Sequence, residues 1–294
     1  MIFAVICILS FMVQNLCCKE YGRRFPDSIA MQSAMIVVST LIIAAIMALF
    51  GGARLLAGGE WGVAAAFGFW FVVTLASMTL AMNYGHMGIT LLIQNSSLIV
   101  PTLYSLIVWH ERLTVVKGAG ILCVLVMLAL SARDGSASAD EETRMRWNRR
   151  LWVLFTLLAF TGDSLLSILQ GSMAMSQTDS VTFTFWTSLF STGFTALLFI
   201  ASNRKGDGVL PFLRERASAF WLFCAGIGLG TAGGNCFSIL ALTRLPGTVL
   251  YPLRQGALVL IMWALGALLY REKVNRSGWL MLAFGLVGLV LLNF

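Results

Sequence analysis

Apolar residues in this chain come in long unbroken runs, separated by short polar breaks, and not in the alternation of a half-buried strand or the narrow stripe of a surface helix. The runs occupy residues 1–17, 29–50, 62–82, 88–109, 115–131, 151–170, 181–202, 219–242, 248–270 and 277–293. Crossing a hydrocarbon core of about 30 Å takes roughly 20 helical residues at about 1.5 Å each, so runs of this length predict membrane-spanning helices. In lipid every backbone N–H and C=O must be satisfied internally, and a segment that is apolar on all sides meets that condition as an α-helix. Ten spans are expected. The first begins at Met1 without a basic leader or a small-residue cleavage site, and reads as a retained helix, not a signal peptide.

Composition points the same way: of 294 residues, 59% are hydrophobic and 11% charged, and the mean hydropathy is +0.86, far from a soluble domain. The six cysteines (Cys7, Cys17, Cys18, Cys123, Cys224 and Cys236) lie in or at the ends of apolar runs, where a thiol behaves as a small hydrophobe and implies no disulfide framework. A net charge of +7 would suggest nucleic acid in a soluble protein. Here the basic residues sit in short loops, where topology and lipid headgroups account for them.

The one long polar segment, SARDGSASADEETRMRWNRR, divides the spans five and five. An offset of 161 residues (250 minus 89) lays ITLLIQNSSLIV over LYPLRQGALVLI, matching Gln94 to Gln255, Glu111 to Glu272 and Ser77 to Ser238. An offset of 152 (179 minus 27) matches Asp27-Ser28 to Asp179-Ser180, each pair suited to cap the helix that follows. The chain thus reads as a first repeat over 1–132, a linker over 133–150 and a second repeat over 151–294. Because five is odd, the two copies cross the membrane in opposite directions, the inverted-repeat plan from which many secondary transporters are built.

With HERLTVVKGAGILCVLVMLAL closing one half and YREKVNRSGWLMLAFGLVGLVLL closing the other, this layout resembles the EamA-type branch of the drug/metabolite transporter superfamily over essentially the whole chain. The acid after the fourth helix of each repeat, Glu111 and Glu272, is its most recognisable mark. The resemblance implies an all-α membrane protein of ten transmembrane helices that moves metabolites, amino acids, drugs, nucleotide sugars or quaternary amines, and it does not choose among them. It also implies cytoplasmic termini. Charge counting implies the reverse: if the termini lie on side A, the side B loops hold fifteen Lys and Arg residues, against Arg54, Arg112, Lys117 and Arg244 on side A. By the positive-inside rule side B is then cytoplasmic.

Two ionisable residues lie well inside the spans, Asp163 and Arg254. A charge at the bilayer centre costs at least about 2.5–3.5 kcal/mol and is kept where it faces a cavity or a partner. Helical rise puts Asp163 about 12 Å and Arg254 about 9 Å from side A, nearly level, so an ion pair between them is expected. Protonation of Asp163 would couple cargo to a proton gradient; a static structural pair is the alternative. Gln94 and Gln255 enter from opposite sides to similar depth, Tyr251 accompanies Arg254, and Asn235 with Ser238 follows the glycines Gly228, Gly230, Gly233 and Gly234. Those glycines suit close helix approach. Trp186 lies deeper than the interfacial tryptophans and is available for stacking or a cation-π contact. Pro101 and Pro252 interrupt the two fourth helices, where a kink or gate is expected. For Glu111 a local role is expected, with Thr114 and Asn275 as caps.

Both histidines, His86 and His110, lie at helix ends, and no phosphate-cradling glycine loop is present. A histidine metal site, a serine-histidine relay and ATP hydrolysis are therefore not expected, nor is any cofactor. The combined reading is a non-enzymatic multi-pass transporter of the plasma or inner membrane, as a monomer or homodimer. Its cargo is a small polar metabolite or drug-like molecule bound among Gln94, Asp163, Trp186, Asn235, Tyr251, Arg254 and Gln255. Its partners are membrane lipids and protons or a counter-substrate. A flippase for a lipid-linked precursor, an intramembrane enzyme, and a non-transporting sensor or assembly subunit are the alternatives. A reporter fused after Phe294 is expected to report an outside terminus on the charge rule, and a cytoplasmic signal would favour the family orientation.

Overall fold

A computed structural model describes residues 1–25, 29–84, 90, 93–111, 113–135, 149–202, 216–269 and 276–292. Asp27, Ser28, Glu272, Asn275 and most of the 133–150 linker lie outside these. The described residues form ten α-helices and no strand: α1 (Ile2–Arg24), α2 (Ile29–Leu49), α3 (Glu60–Tyr84), α4 (Ile99–Ile107), α5 (Val115–Gly135), α6 (Arg149–Met175), α7 (Ser180–Ser202), α8 (Ala217–Leu242), α9 (Gly247–Leu269) and α10 (Arg276–Leu291). A short 3₁₀ turn, Ser96–Leu98, leads into α4. Six of these, α1, α2, α3, α6, α7 and α8, contain stretches long and apolar enough to cross a membrane, while Val115–Leu130, Gly247–Met262 and Gly278–Leu291 are shorter apolar helices. The chain is an all-α membrane protein. Three helices outrun their apolar runs by four residues or more, α1 to Arg24, α5 to Gly135 and α6 to Met175, because Cys18 to Arg24, Ala132 to Gly135 and Gly171 to Met175 contain no proline to stop them.

The helices group into two compact units, residues 1–72 with 169–243 and residues 73–168 with 244–294. Each draws on both halves of the sequence, and α3 and α6 contribute to both.

In the first unit α1 packs along α8 and α2 along α7. Lipid tails are as apolar as leucine, so helices associate here through close van der Waals contact and hydrogen bonding and not through burial from water. The glycines of α8 provide that contact. A Cβ at Gly226 would meet Cys17 Sγ at 2.4 Å, one at Gly230 would meet the Ser10 carbonyl oxygen at 2.6 Å, and one at Gly234 would meet the Phe11 ring at 2.5 Å. Further along, Phe237 stacks on Phe3, so from Cys17 at Gly226 to Phe3 at Phe237 the contacts move back along α1 as α8 advances, and the two helices run antiparallel. Gly228 faces α2 instead, with its missing Cβ 2.9 Å from the Ser39 carbonyl oxygen. The glycines thus serve close packing, as their spacing predicts. The Cys7 thiol donates to the Gly234 carbonyl at 3.4 Å. Where this unit's aromatic end begins, Tyr21 stacks on Phe25 at 4.5 Å and donates its hydroxyl to the Met31 carbonyl at 3.0 Å.

Helix α7 is rich in Ser and Thr, residues that compete with a helix in water. In an apolar setting their hydroxyls turn back on the preceding turn: Ser191 donates to Thr187 O at 2.7 Å and Thr192 to Ser188 O at 2.8 Å. Thr192 also meets Thr40 of α2 at 2.8 Å. Its start is fixed as expected, with Asp179 accepting the Thr182 backbone N–H at 3.2 Å.

In the second unit α5 packs along α10 and α4 along α9. The first pair crosses glycine to glycine: a Cβ on Gly120 would lie 3.1 Å from Gly288 O, and one on Gly288 would lie 3.1 Å from Gly120 O. Around the crossing Val124, Met127 and Leu128 meet Met281 and Leu292, with Leu98, Val249 and Leu260 completing the core.

These contacts separate two classes of glycine. Replacing Gly230 by Ala drives a methyl group into backbone atoms of α1 and should cost about 1–3 kcal/mol, read as a lower thermal midpoint of the purified protein in detergent. Gly193→Ala meets nothing within 4 Å and should leave the midpoint unchanged or slightly raised.

Candidate functional site

The second unit carries the charged pair. Asp163 lies in the apolar middle of α6, and its Oδ2 accepts the hydroxyl of Ser97. Arg254 lies two turns into α9, in the same unit. Both side chains are half-buried. Asp163, Arg254 and Ser97 all fall within this one unit.

Ser97 is available because of Pro101. A helix in this register would bond the Ser97 carbonyl to the N–H four residues on, and proline has none. The chain takes the tighter 3₁₀ turn at Ser96–Leu98 before resuming as α4. Ser164, next to Asp163, points its hydroxyl at the Ser97 carbonyl at 3.3 Å while also donating to its own-turn Phe160 O at 2.8 Å. Both Asp163 and Ser164 therefore engage the same interrupted residue.

Around this centre Gln255 donates through Nε2 to the side-chain oxygen of Asn95. Gln94 sits half-buried on the same turn as Asn95, so the contact with Gln255 falls one residue beyond the position that the repeat equates with it. Tyr251, only 1% exposed, donates its hydroxyl to the Ser167 carbonyl at 3.0 Å and so ties α9 to the turn of α6 that follows Asp163.

The start of α9 is held by Glu111. Its two carboxylate oxygens accept the backbone N–H groups of Gly247 at 2.8 Å and Thr248 at 2.9 Å. Those are orphan donors of a helix N-terminus, where a negative charge also meets the favourable end of the helix dipole. Sequence proximity had suggested a local task for Glu111; its partner lies 136 positions away. The local cap falls to Thr114, whose hydroxyl accepts the Lys117 N–H at 3.3 Å.

Asn235 and Trp186 belong to the first unit and have their partners there. Gln170 donates to the Asn235 side-chain oxygen at 2.9 Å and accepts the Ser238 hydroxyl at 3.2 Å, forming a polar chain between α6 and α8. Trp186 donates its indole N–H to Arg54 O at 2.7 Å and packs against Trp61 at 4.5 Å, fastening the loop between α2 and α3. Trp61 in turn bonds Leu56 O at 3.0 Å. Sequence reasoning left Ser97 among the helix-packing serines; its signal was the proline four residues later. Among the described residues no three His, Cys, Asp or Glu side chains form a group able to hold a metal ion.

No family model matches the chain, and no curated protein matches it. Its fold does have solved counterparts. One, described as "Crystal structure of protein", aligns over 99% of this chain and 94% of its own with a TM-score of 0.72 at 15% identity. That likeness concerns the fold alone.

Removing the Glu111 carboxylate uncovers two backbone donors. Glu111→Ala should destabilise the start of α9 by about 0.5–2 kcal/mol, measured as faster amide hydrogen exchange at residues 247–251 with little change in α1 or α8.

Proposed function

We propose that this protein is a secondary transporter of ten spanning helices in two inverted five-helix repeats. By alternating access it moves a small polar metabolite or drug-like molecule across the plasma or inner membrane, driven by a gradient or by exchange. The observation that carries this reading is Asp163 on an apolar helix, bonded to Ser97 at an interrupted helix, with Arg254 on α9, which packs along that interrupted helix. Two charges kept at that depth are costly, and intramembrane ionisable residues mark substrate and ion paths. An Asp163–Arg254 pair would exchange partners when a charged cargo arrives, and protonation of Asp163 offers a route for coupling.

The packing supports the inverted plan. The two second spans (α2 and α7), the two fourth spans (α4 and α9) and the two closing spans (α5 and α10) each pair with one another, as copies related by a two-fold axis in the membrane plane would. The Gln255–Asn95 contact joins the two stretches that the 161-residue offset aligns. Interrupted helices at a charged centre are the arrangement in which transporters bind cargo near the midplane. No combination of groups in the site suggests bond-breaking chemistry, so the site is read as one for recognition.

The test is counterflow in proteoliposomes with three labelled probes of different charge: agmatine, succinate and γ-aminobutyrate. A probe that the wild type moves should lose at least about tenfold in rate with Arg254→Ala and with Asp163→Asn, the scale of a lost buried charge partner. Unchanged rates in both variants would remove Asp163 and Arg254 from the cargo site.

A further inference from the structure

The fourth span does not run through the membrane as one α-helix. It changes to a 3₁₀ turn at Ser96–Leu98, three residues before Pro101, and there the two side chains of Asp163-Ser164 meet it. The Ser97 hydroxyl donates to Asp163 Oδ2, and the Ser97 carbonyl, denied a helical partner by Pro101, lies 3.3 Å from the Ser164 hydroxyl. Both of these contacts with Ser97 fall where the helical ladder is interrupted. On its far side the turn is anchored by ordinary packing, with Leu98 5% exposed in the core of α5, α9 and α10 and Thr102 bonded to Leu98 O at 2.7 Å.

A 3₁₀ stretch inside a longer helix is a point at which the chain bends at low cost. Ser97 can donate its one hydroxyl proton to Asp163 or to a carbonyl of the preceding turn, as Thr102 and Ser105 do on the same segment. In the first case the break is tied to α6 through Asp163 as well as through Ser164; in the second the Asp163 tie is lost.

We propose that Ser97 is the positioning residue for Asp163 and that their contact latches the break in the fourth span. When the Asp163 carboxylate is withdrawn from Ser97, the 3₁₀ turn is left with the longer 3.3 Å contact of Ser164 on the Ser97 carbonyl, and the segment on either side of it moves more freely. This rests on the transport reading only for its purpose: a cargo group that takes Asp163 would thereby loosen the helix at the site, linking occupancy to shape. The Ser97 hydroxyl ties Asp163 to the break.

The experiment is amide hydrogen exchange by mass spectrometry on the full chain in lipid nanodiscs. Ser97→Ala and Asp163→Ala should each raise exchange in residues 96–104 by about tenfold or more, with α7 and α10 unchanged. The double variant should exceed neither single one, because both remove the same contact. Ser97→Thr, which keeps the hydroxyl, should return exchange to the wild-type rate, a rescue that a cavity or a general loss of stability would not give. Exchange within twofold of wild type in Ser97→Ala, additive effects in the double variant, or failure of rescue by threonine would each overturn the latch. Counterflow separates the two proposals. Loosened exchange with no movement of agmatine, succinate or γ-aminobutyrate leaves the latch standing and counts against transport. Lost counterflow in Arg254→Ala with a rigid Ser97→Ala segment does the opposite.

Discussion

What holds this molecule together is the closeness that glycine permits between helix backbones in a solvent that gives helices no reason to associate. In water, apolar faces are driven together; in hydrocarbon they are already solvated, and only contacts better than those with lipid bring two helices into register. The α8 glycines put that helix within van der Waals reach of the Ser10 carbonyl and the Gln14 backbone of α1. The mutual contact of Gly120 and Gly288 does the same for the closing helices. These approaches fix which helix lies beside which, and the polar contacts are built on that frame.

The charged centre shows how such a frame tolerates groups that lipid would reject. Asp163 is not left to Arg254 alone. It receives a hydroxyl from a helix that a proline has opened, and Arg254 sits on a helix whose first turn is held at one end by Glu111 and in the middle by the Tyr251–Ser167 bond. Each charge is therefore presented by a segment whose own backbone needs were met by side chains from elsewhere. Such an arrangement keeps the pair in place while leaving each partner replaceable, which is what recognition requires and what a purely apolar core could not supply.

The helices were legible because the signal for them is local: a run of about 20 apolar residues has one stable form in a membrane. Asp163 and Arg254 were legible as candidates for the same reason, since they stand out against their neighbours. What escaped the sequence was non-local. Glu111 looked like a loop residue because nothing near it needs a carboxylate, and its target at Gly247 is defined by the fold. Ser97 looked like one of many membrane serines that bond their own helix, and only Pro101 hinted otherwise. Trp186 looked free to stack on a ligand, but its indole N–H is engaged by Arg54 O in the loop between α2 and α3. The polar linker divides the sequence into halves, while each compact unit is built from pieces of both halves.

That interleaving sets a schedule for synthesis. A ribosome delivers the chain from its N-terminus, and neither unit has all its pieces when the first half has emerged: residues 1–72 wait for 169–243, and residues 73–168 wait for 244–294. The α8 glycine face reaches α1 only after seven helices have been threaded into the bilayer, and Glu111 meets Gly247 only when α9 arrives. Until then the early helices stand in lipid with their close-packing surfaces uncovered. The nascent protein therefore carries its early helices without these partners for most of its translation, and its final assembly waits on residues 169–294.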